Sequence, residues 1–249
     1  NYKFTSESMN QVLDLVKENG LSVEWVLDTH PHADHVMASA QLKERTGAPN
    51  AIGALVPEIA KIWADLYNLP EAFDPDRDFD HLFQEGETFK IGELDAKVML
   101  SPGHTLGSIT YVCGDAAFVH DTLMQPDAGT SRSDFPGGTT AELWDSIQDI
   151  LALPGNTRLY IGHDYGTDDR DEPRWEATVD EHRAHNIHVK DGTKREDYIA
   201  RRQKRDATLS LPNRILAALQ INLRGRRLPP GEGAAPHYTE PPANRPGRR

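Results

Sequence analysis

Four metal-ligating side chains within six residues, in His30-Pro31-His32-Ala33-Asp34-His35, constrain this chain more than any other stretch. They follow the apolar run Val23 to Leu27, which reads as a strand. Polar groups gathered without partners are costly to bury. A fold that accommodates this stretch must therefore end a strand where a loop can turn the side chains into a common space.

The same arrangement of strand and then ligand recurs. His104 follows the strand pattern of Leu94 to Leu100, across the break Ser101-Pro102-Gly103. Asp121 ends the strand Ala116 to Val119, and His163 follows Leu159 to Ile161. Strand ends are rigid while their loops are free to vary. Together with His30, His32, Asp34 and His35 this makes seven imidazole and carboxylate groups, enough for one or two divalent metals. No cysteine is among them, which suits zinc, iron or manganese.

Between these points the sequence predicts an α/β order. Ser6 caps a helix carrying Met9, Val12, Leu13 and Val16, which Gly20 closes. A second helix runs from Asp34 or His35 to Thr46, and a third from Pro57 to Asn68. Ala48 to Ile52 is a strand, and Asp74 to Asp80 is a solvated acidic loop. Phe89 to Ile91 and Leu94 to Leu100 are strands, and Ser108 to Val112 pairs with Ala116 to Val119 through the turn Gly114-Asp115. Gln125 to Gly138 is a long loop of the kind that serves function. Thr140 to Leu153 is a helix. Beyond Gly166, Arg174 to His188, Lys194 to Leu209 and Pro212 to Leu223 read as helices, and from Pro229 the tail is rich in Pro, Gly and Arg and reads as disordered. The expected organisation is a catalytic domain over 1–166, a helical extension packed on it over 167–228, and a tail over 229–249.

The 249 residues suffice for a sizeable core. A net charge of -12 disfavours non-specific nucleic-acid binding. Cys113 is the single cysteine, so no internal disulfide forms; it reads as a small core residue. No apolar run is long enough to span a membrane and no secretory leader is visible. These features fit a cytoplasmic bacterial home.

The intact His-x-His-x-Asp-His signature at His30 to His35, with His104, Asp121 and His163 downstream, resembles the metallo-β-lactamase superfamily. That resemblance implies an αβ/βα sandwich, two mixed sheets flanked by helices, with a short helical C-terminal appendage here. Its fold normally opens with strands before the first helix, whereas this chain opens almost at that helix, so a fuller native chain is expected. The residue before the metal Asp is usually Gly in the superfamily and is His120 here; an imidazole there would crowd the site, point away from it, or add a ligand.

Within the superfamily the chain is most similar to the persulfide dioxygenases, in Asp28 to His35, in Ser101-Pro102-Gly103-His104-Thr105, in Ser131-Arg132-Ser133-Asp134-Phe135-Pro136-Gly137-Gly138, and in Gly162-His163-Asp164-Tyr165. Thr178 to Asn186 and Asn222-Leu223-Arg224 extend the likeness. The resemblance implies one Fe(II) held by His30, His104 and Asp121, a 2-His-1-carboxylate face that leaves open positions for O2 and sulfur. It implies that His32, Asp34, His35 and His163 orient ligands or bind a second metal, with Asp34, His35 and His163 managing protons. It also implies glutathione persulfide and O2 as reactants, sulfite and glutathione as products, and Arg132, Tyr165 and Arg224 near the glutathione. A loop-bracing pair with Asp134 is the other reading of Arg132, and helix-end surface charge that of Arg224. A homodimer is compatible with the sequence. The same seven groups would serve a glyoxalase II-like thioester hydrolase with two Zn2+ bridged by Asp121.

Two remaining features read as solvated surface. His182, His185 and His188 lie on a segment charged on all sides, and Arg201-Arg202 with Lys204-Arg205 forms a short basic run among acids.

Overall fold

A computed structural model describes residues 5–225 and 227–229. The tail expected from Pro229 lies, apart from that residue, outside them.

The first half alternates helix and strand. Its elements are α1 (Glu7–Glu18), β1 (Val26–Leu27), α2 (Ser39–Thr46), β2 (Asn50–Gly53), α3 (Val56–Tyr67), α4 (Pro75–Asp78) and β3 (His81–Phe83). Helical crossovers between successive strands make every pairing parallel, in the order β1-β2-β3. This sheet is therefore wholly parallel among the described residues, not mixed as expected.

The second half runs β4 (Thr88–Ile91), β5 (Leu94–Leu100), β6 (Ile109–Cys113), β7 (Ala116–His120), α5 (Thr140–Leu151), β8 (Arg158–Ile161), β9 (Glu176–Thr178), α6 (Val179–His185), α7 (Arg195–Asp206) and α8 (Ile215–Asn222). Tight turns such as Gly114-Asp115, with Gly114 at φ 60°, make this six-stranded sheet antiparallel except where β7 meets β8. The chain returns to β8 through α5, and a parallel pair requires such a crossover. The strand ends at Asp121 and His163 are thereby brought to the same edge.

The two sheets face each other across Ala51, Phe83, Val98, Ile109 and Tyr111. Outside the first sheet, Ile52 packs under Val56, Ile59 and Trp63 of α3 and Leu219 of α8. Outside the second, Ala117, Val119 and Leu159 pack under Leu143, Ile147 and Ile150 of α5 and Tyr198 of α7. The result is the expected sandwich of two sheets flanked by helices. The α7 and α8 helices are part of these outer layers.

Several local expectations shift. The second helix begins only at Ser39, leaving 28–38 as loop, so the His-rich stretch is not bound to helical spacing. Val12 and Leu15 of α1 remain exposed and Met9 is its buried residue. Cys113 is half-buried. The acidic loop contains α4, and Asp78 is buried in contact with Arg77 and Arg227. The helix expected from Arg174 is the strand β9 followed by α6, started by a reciprocal cap between Thr178 and Glu181.

The three histidines read as solvated are not alike. His185 is exposed, but His182 is 0 % exposed with its Nδ1 3.0 Å from Asn186 Nδ2. The His188 Nδ1 accepts the Thr130 backbone N–H at 3.0 Å. They form no metal cluster among the described residues. Burial pushes the His182 imidazole from 6.5 down to about 4. A group neutral in the fold and cationic when unfolded contributes stability above its unfolded pKa and loses it as pH falls through its folded pKa. The metal-free protein is therefore expected to weaken between pH 6.5 and about 4, by up to about 1.4 kcal/mol per pH unit for each such imidazole. Urea midpoints across that range check this, and a flat profile contradicts a buried neutral His182.

Candidate metal centre

The centre forms at the strand ends of both sheets. After β1 the chain is tied across to the second sheet, with the Tyr111 hydroxyl donating to the Asp28 carbonyl at 2.9 Å and the Ile109 N–H donating to the Thr29 carbonyl at 3.0 Å. The Asp28 carboxylate takes a hydrogen bond from Ser39 Oγ. Burial pushes Asp28 up to about 7, against the opposing pull of Ser39 and His35. Downstream, Asn222 at the end of α8 holds the ligand loop. Its Nδ2 donates to the His32 and His35 carbonyls at 2.8 and 2.9 Å, and its Oδ1 accepts the Met37 N–H at 3.0 Å. Asn222 is fully buried.

Asp121 stands at the centre. A register shift between Phe118 and His120 in the pairing of β7 with β8 turns the chain just before it. His120 consequently has φ 42°, in the left-handed region that favours glycine. That backbone requirement accounts for the usual Gly at this place. The His120 ring lies 4.7 Å from the His30 ring, and its Nε2 is 3.1 Å from Thr122 Oγ1. It packs behind His30 and belongs to neither close group of ligand atoms.

Three imidazole nitrogens surround one oxygen of Asp121. The Nε2 atoms of His30, His104 and His163 lie 3.5, 3.7 and 3.6 Å from Asp121 Oδ2. Two atoms each about 2.1 Å from one ion are separated by about 3.0–3.5 Å at octahedral or tetrahedral angles. These spacings are near that range and longer than ordinary hydrogen bonds. His104 Nδ1 lies 2.8 Å from the Arg132 carbonyl, which can only accept, so Nδ1 carries the proton and Nε2 presents its lone pair. Burial pushes His104 down to about 4 and His32 well below its ordinary value. Burial alone would raise Asp121, but the close approach and charge of His30, followed by the charges of His104 and His120, hold it well below the usual carboxylate range. The neutral forms of His104 and His32 and the ionised form of Asp121 are the states that metal ligation requires.

The other groups adjoin this set. His32, Asp34 and His35 place their ligand atoms within 4.8 Å of one another, as do His30, His32 and Asp121. Asp34 lies 3.0 Å from His35 Nδ1 and 3.4 Å from His163 Nε2. All seven residues read from the sequence therefore meet. Three buried atoms there have no protein partner: His32 Nδ1, His120 Nδ1 and Asp121 Oδ1. Orphaned acceptors beside assembled imidazoles fit a cation. The donor set is nitrogen and oxygen, suited to iron, zinc or manganese.

A cavity of about 550 Å³ opens over the centre, with His30, His104 and Asp121 in its lining. Tyr165, 78 % exposed, stacks on His163 with ring centroids 5.5 Å apart and also lines it. Arg132 lines it too, yet its guanidinium is engaged, with bonds of 2.6 and 2.7 Å to Asp134 and 2.8 Å to the Ser210 carbonyl. Arg224 does not reach the cavity. It is 6 % exposed, donates to the Ala72 carbonyl at 2.9 Å and covers the Phe73 ring. Its apolar and carbonyl surroundings make it a core residue, which corrects its expected place near substrate.

Sequence reasoning missed Asn222 as a clamp and Arg201, Arg202 and Arg205 as part of the cavity wall. The spacing of Arg201 and Arg205, one helical turn apart, was the available signal.

The profile of the metallo-beta-lactamase superfamily matches residues 4–163. A beta-lactamase hydrolase-like protein from Agrobacterium fabrum is 54% identical over 231 residues, 93% of this chain and 53% of that protein. Glyoxylase B2 of Dictyostelium discoideum is 38% identical, over 98% of this chain and 84% of its own. The crystal structure of ETHE1 from Myxococcus xanthus superposes with a TM-score of 0.72 at 31% identity, covering 89% of this chain and 85% of that one. The chain spans about half the length of the beta-lactamase hydrolase-like relative.

Gly162 tests how tightly Asp121 is held, because a Cβ at that position would lie 2.4 Å from Asp121 Oδ1. Gly162→Ala is expected to weaken metal binding by about 10- to 100-fold while the protein stays folded. Chelator competition followed alongside circular dichroism checks this; unchanged affinity in the folded variant contradicts the packing.

Proposed function

The chain belongs to the metallo-beta-lactamase superfamily, and on that premise we propose that it is an iron-dependent persulfide dioxygenase. The reaction converts glutathione persulfide, O2 and water to glutathione and sulfite. The observation that carries this reading is the His30, His104 and Asp121 face, with Nε2 to Oδ2 spacings of 3.5 and 3.7 Å beneath an open cavity. His30, His104 and Asp121 would hold ferrous iron, which when bound would supply the redox chemistry that O2 needs. The ETHE1 likeness, at 31% identity over most of both chains, supports the reading. So does the Ser131 to Gly138 loop, which places Arg132 and Phe135 in the cavity wall.

The chain's own residues have distinct tasks. The Arg132 carbonyl fixes the His104 tautomer. Asp34, held down at about 2 by its hydrogen bond with His35, stays anionic and faces both His35 and His163. This trio takes up the proton released when a persulfide anion, O2 and water become glutathione and sulfite. Arg201 and Arg205 are exposed on the α7 side of the cavity. Arg201 donates to the Ile187 carbonyl at 3.0 Å, and the Arg205 guanidinium has no protein partner among the described residues. This cationic edge on a chain of net charge -12 suits the carboxylates of glutathione. Tyr165 also lines the cavity and would contact the same substrate.

A second reading has its own observation. The close group of His32, Asp34 and His35 would hold a second ion, favouring a glyoxalase II-like hydrolase with two Zn2+. Metal analysis with oxygen uptake separates the two. One iron per chain and oxygen consumption with glutathione persulfide are expected; two metals, thioester cleavage and no oxygen uptake overturn the dioxygenase reading. Asp121→Ala is expected to lose iron and activity together, and full iron retention contradicts its role. Arg201→Ala combined with Arg205→Ala is expected to raise KM by about 3- to 30-fold with kcat little changed. An unaltered KM removes these arginines from substrate binding.

A further inference from the structure

The orientation of His104 depends on one peptide group. Its Nδ1–H donates to the Arg132 carbonyl at 2.8 Å, so the placement of that carbonyl aims Nε2 at the metal cluster. Residues 131–138 contain neither helix nor strand; within them the Arg132 side chain pairs with Asp134, and Ser131 Oγ lies 3.3 Å from the Arg132 carbonyl. A constraint on the backbone to either side comes from α7. Asp206 Oδ2 accepts the Ser133 backbone N–H at 3.0 Å and the Ser133 hydroxyl at 3.2 Å. Asp206 Oδ1 accepts from Arg202 at 2.8 Å and 2.6 Å, and Arg202 Nη1 donates to the Thr130 carbonyl at 3.1 Å. The ion pair thus grips the loop at residues 130 and 133, on either side of Arg132. Both members are buried, at 6 % and 4 % exposure.

A buried ion pair adds little net stability over an apolar replacement, because desolvation offsets the attraction. What this pair does supply is directional: three polar contacts to the loop, two of them to its backbone. We propose that Arg202 and Asp206 are positioning residues for the metal ligand His104, acting through the backbone from Thr130 to Ser133. The C-terminal helices then set the metal affinity of a centre to which they give no ligand. Asn222 of α8 holds the His32 and His35 carbonyls in a comparable way on the other ligand loop. The inference rests on His104 holding an ion and is independent of which reaction follows.

The test is Co(II) titration of the metal-free full chain, reading affinity and ligand-field absorption, with unfolding midpoints measured in parallel. Asp206→Asn is expected to weaken Co(II) binding by about 10- to 100-fold and to alter the visible spectrum. Ile150→Val, which trims the α5 core away from the centre, lowers stability but leaves affinity and spectrum unchanged. A folded Asp206→Asn protein with wild-type affinity and spectrum overturns the proposal. If that variant does not fold, Arg202→Lys and Ser133→Ala decide, since each removes part of the grip; about 3- to 10-fold weaker binding supports the proposal, and wild-type binding in both overturns it. His104→Ala in the same titration separates premise from proposal. Wild-type Co(II) binding by that variant removes the premise, whereas loss in His104→Ala with none in the α7 variants refutes the positioning role alone.

Discussion

One buried carboxylate governs this structure. Asp121 has lost most of its water, and its compensation is a ring of imidazoles whose nitrogens stand 3.5 to 3.7 Å from a single oxygen. Burial favours the neutral form of His104, against the pull of Asp121, while Asp121 is held in its anionic form by the imidazoles beside it. A neutral imidazole beside a carboxylate is what a divalent cation finds ready. The architecture serves this arrangement: a register shift turns the chain before Asp121, Gly162 leaves room beside it, and the parallel pairing of β7 with β8 brings His163 alongside.

Around the carboxylate lies a graded set of supports. The metal-facing imidazole of His104 is fixed by a carbonyl, the carbonyl by a loop, and the loop by a buried ion pair on a helix. Asn222 gives the His-rich loop a single residue that satisfies two carbonyls and one N–H. Arg201 and Arg205 reach the cavity wall from the same helix that carries the ion pair. One face of α7 therefore braces the centre while an adjoining face meets the cavity.

The site was largely legible because its information is local. A strand followed by a ligand is visible in a few residues, and all seven groups read that way converge. The supports were not legible because they join residues far apart in sequence. Arg202 and Asp206 lie in a helix so charged that solvation was the simpler reading, yet burial selects those two from their neighbours. Arg224 failed in the opposite sense: an arginine at a helix end looked available and is enclosed by carbonyls and Phe73. Short elements also escaped, since β3 and β9 have three residues each and owe their form to partners rather than pattern. His120 occupies a left-handed position that composition alone could not reveal.

The clamp by Asn222 also has a consequence in time. It spans 190 positions back to His32. A ribosome makes the ligand loop long before it makes the residue that holds it. Domains complete their packing as their last elements arrive. The loop therefore lacks this clamp while His104, Asp121 and His163 are added, and gains it when α8 docks. Until α8 has been made, the chain presents the His32 and His35 carbonyls without the residue that holds them.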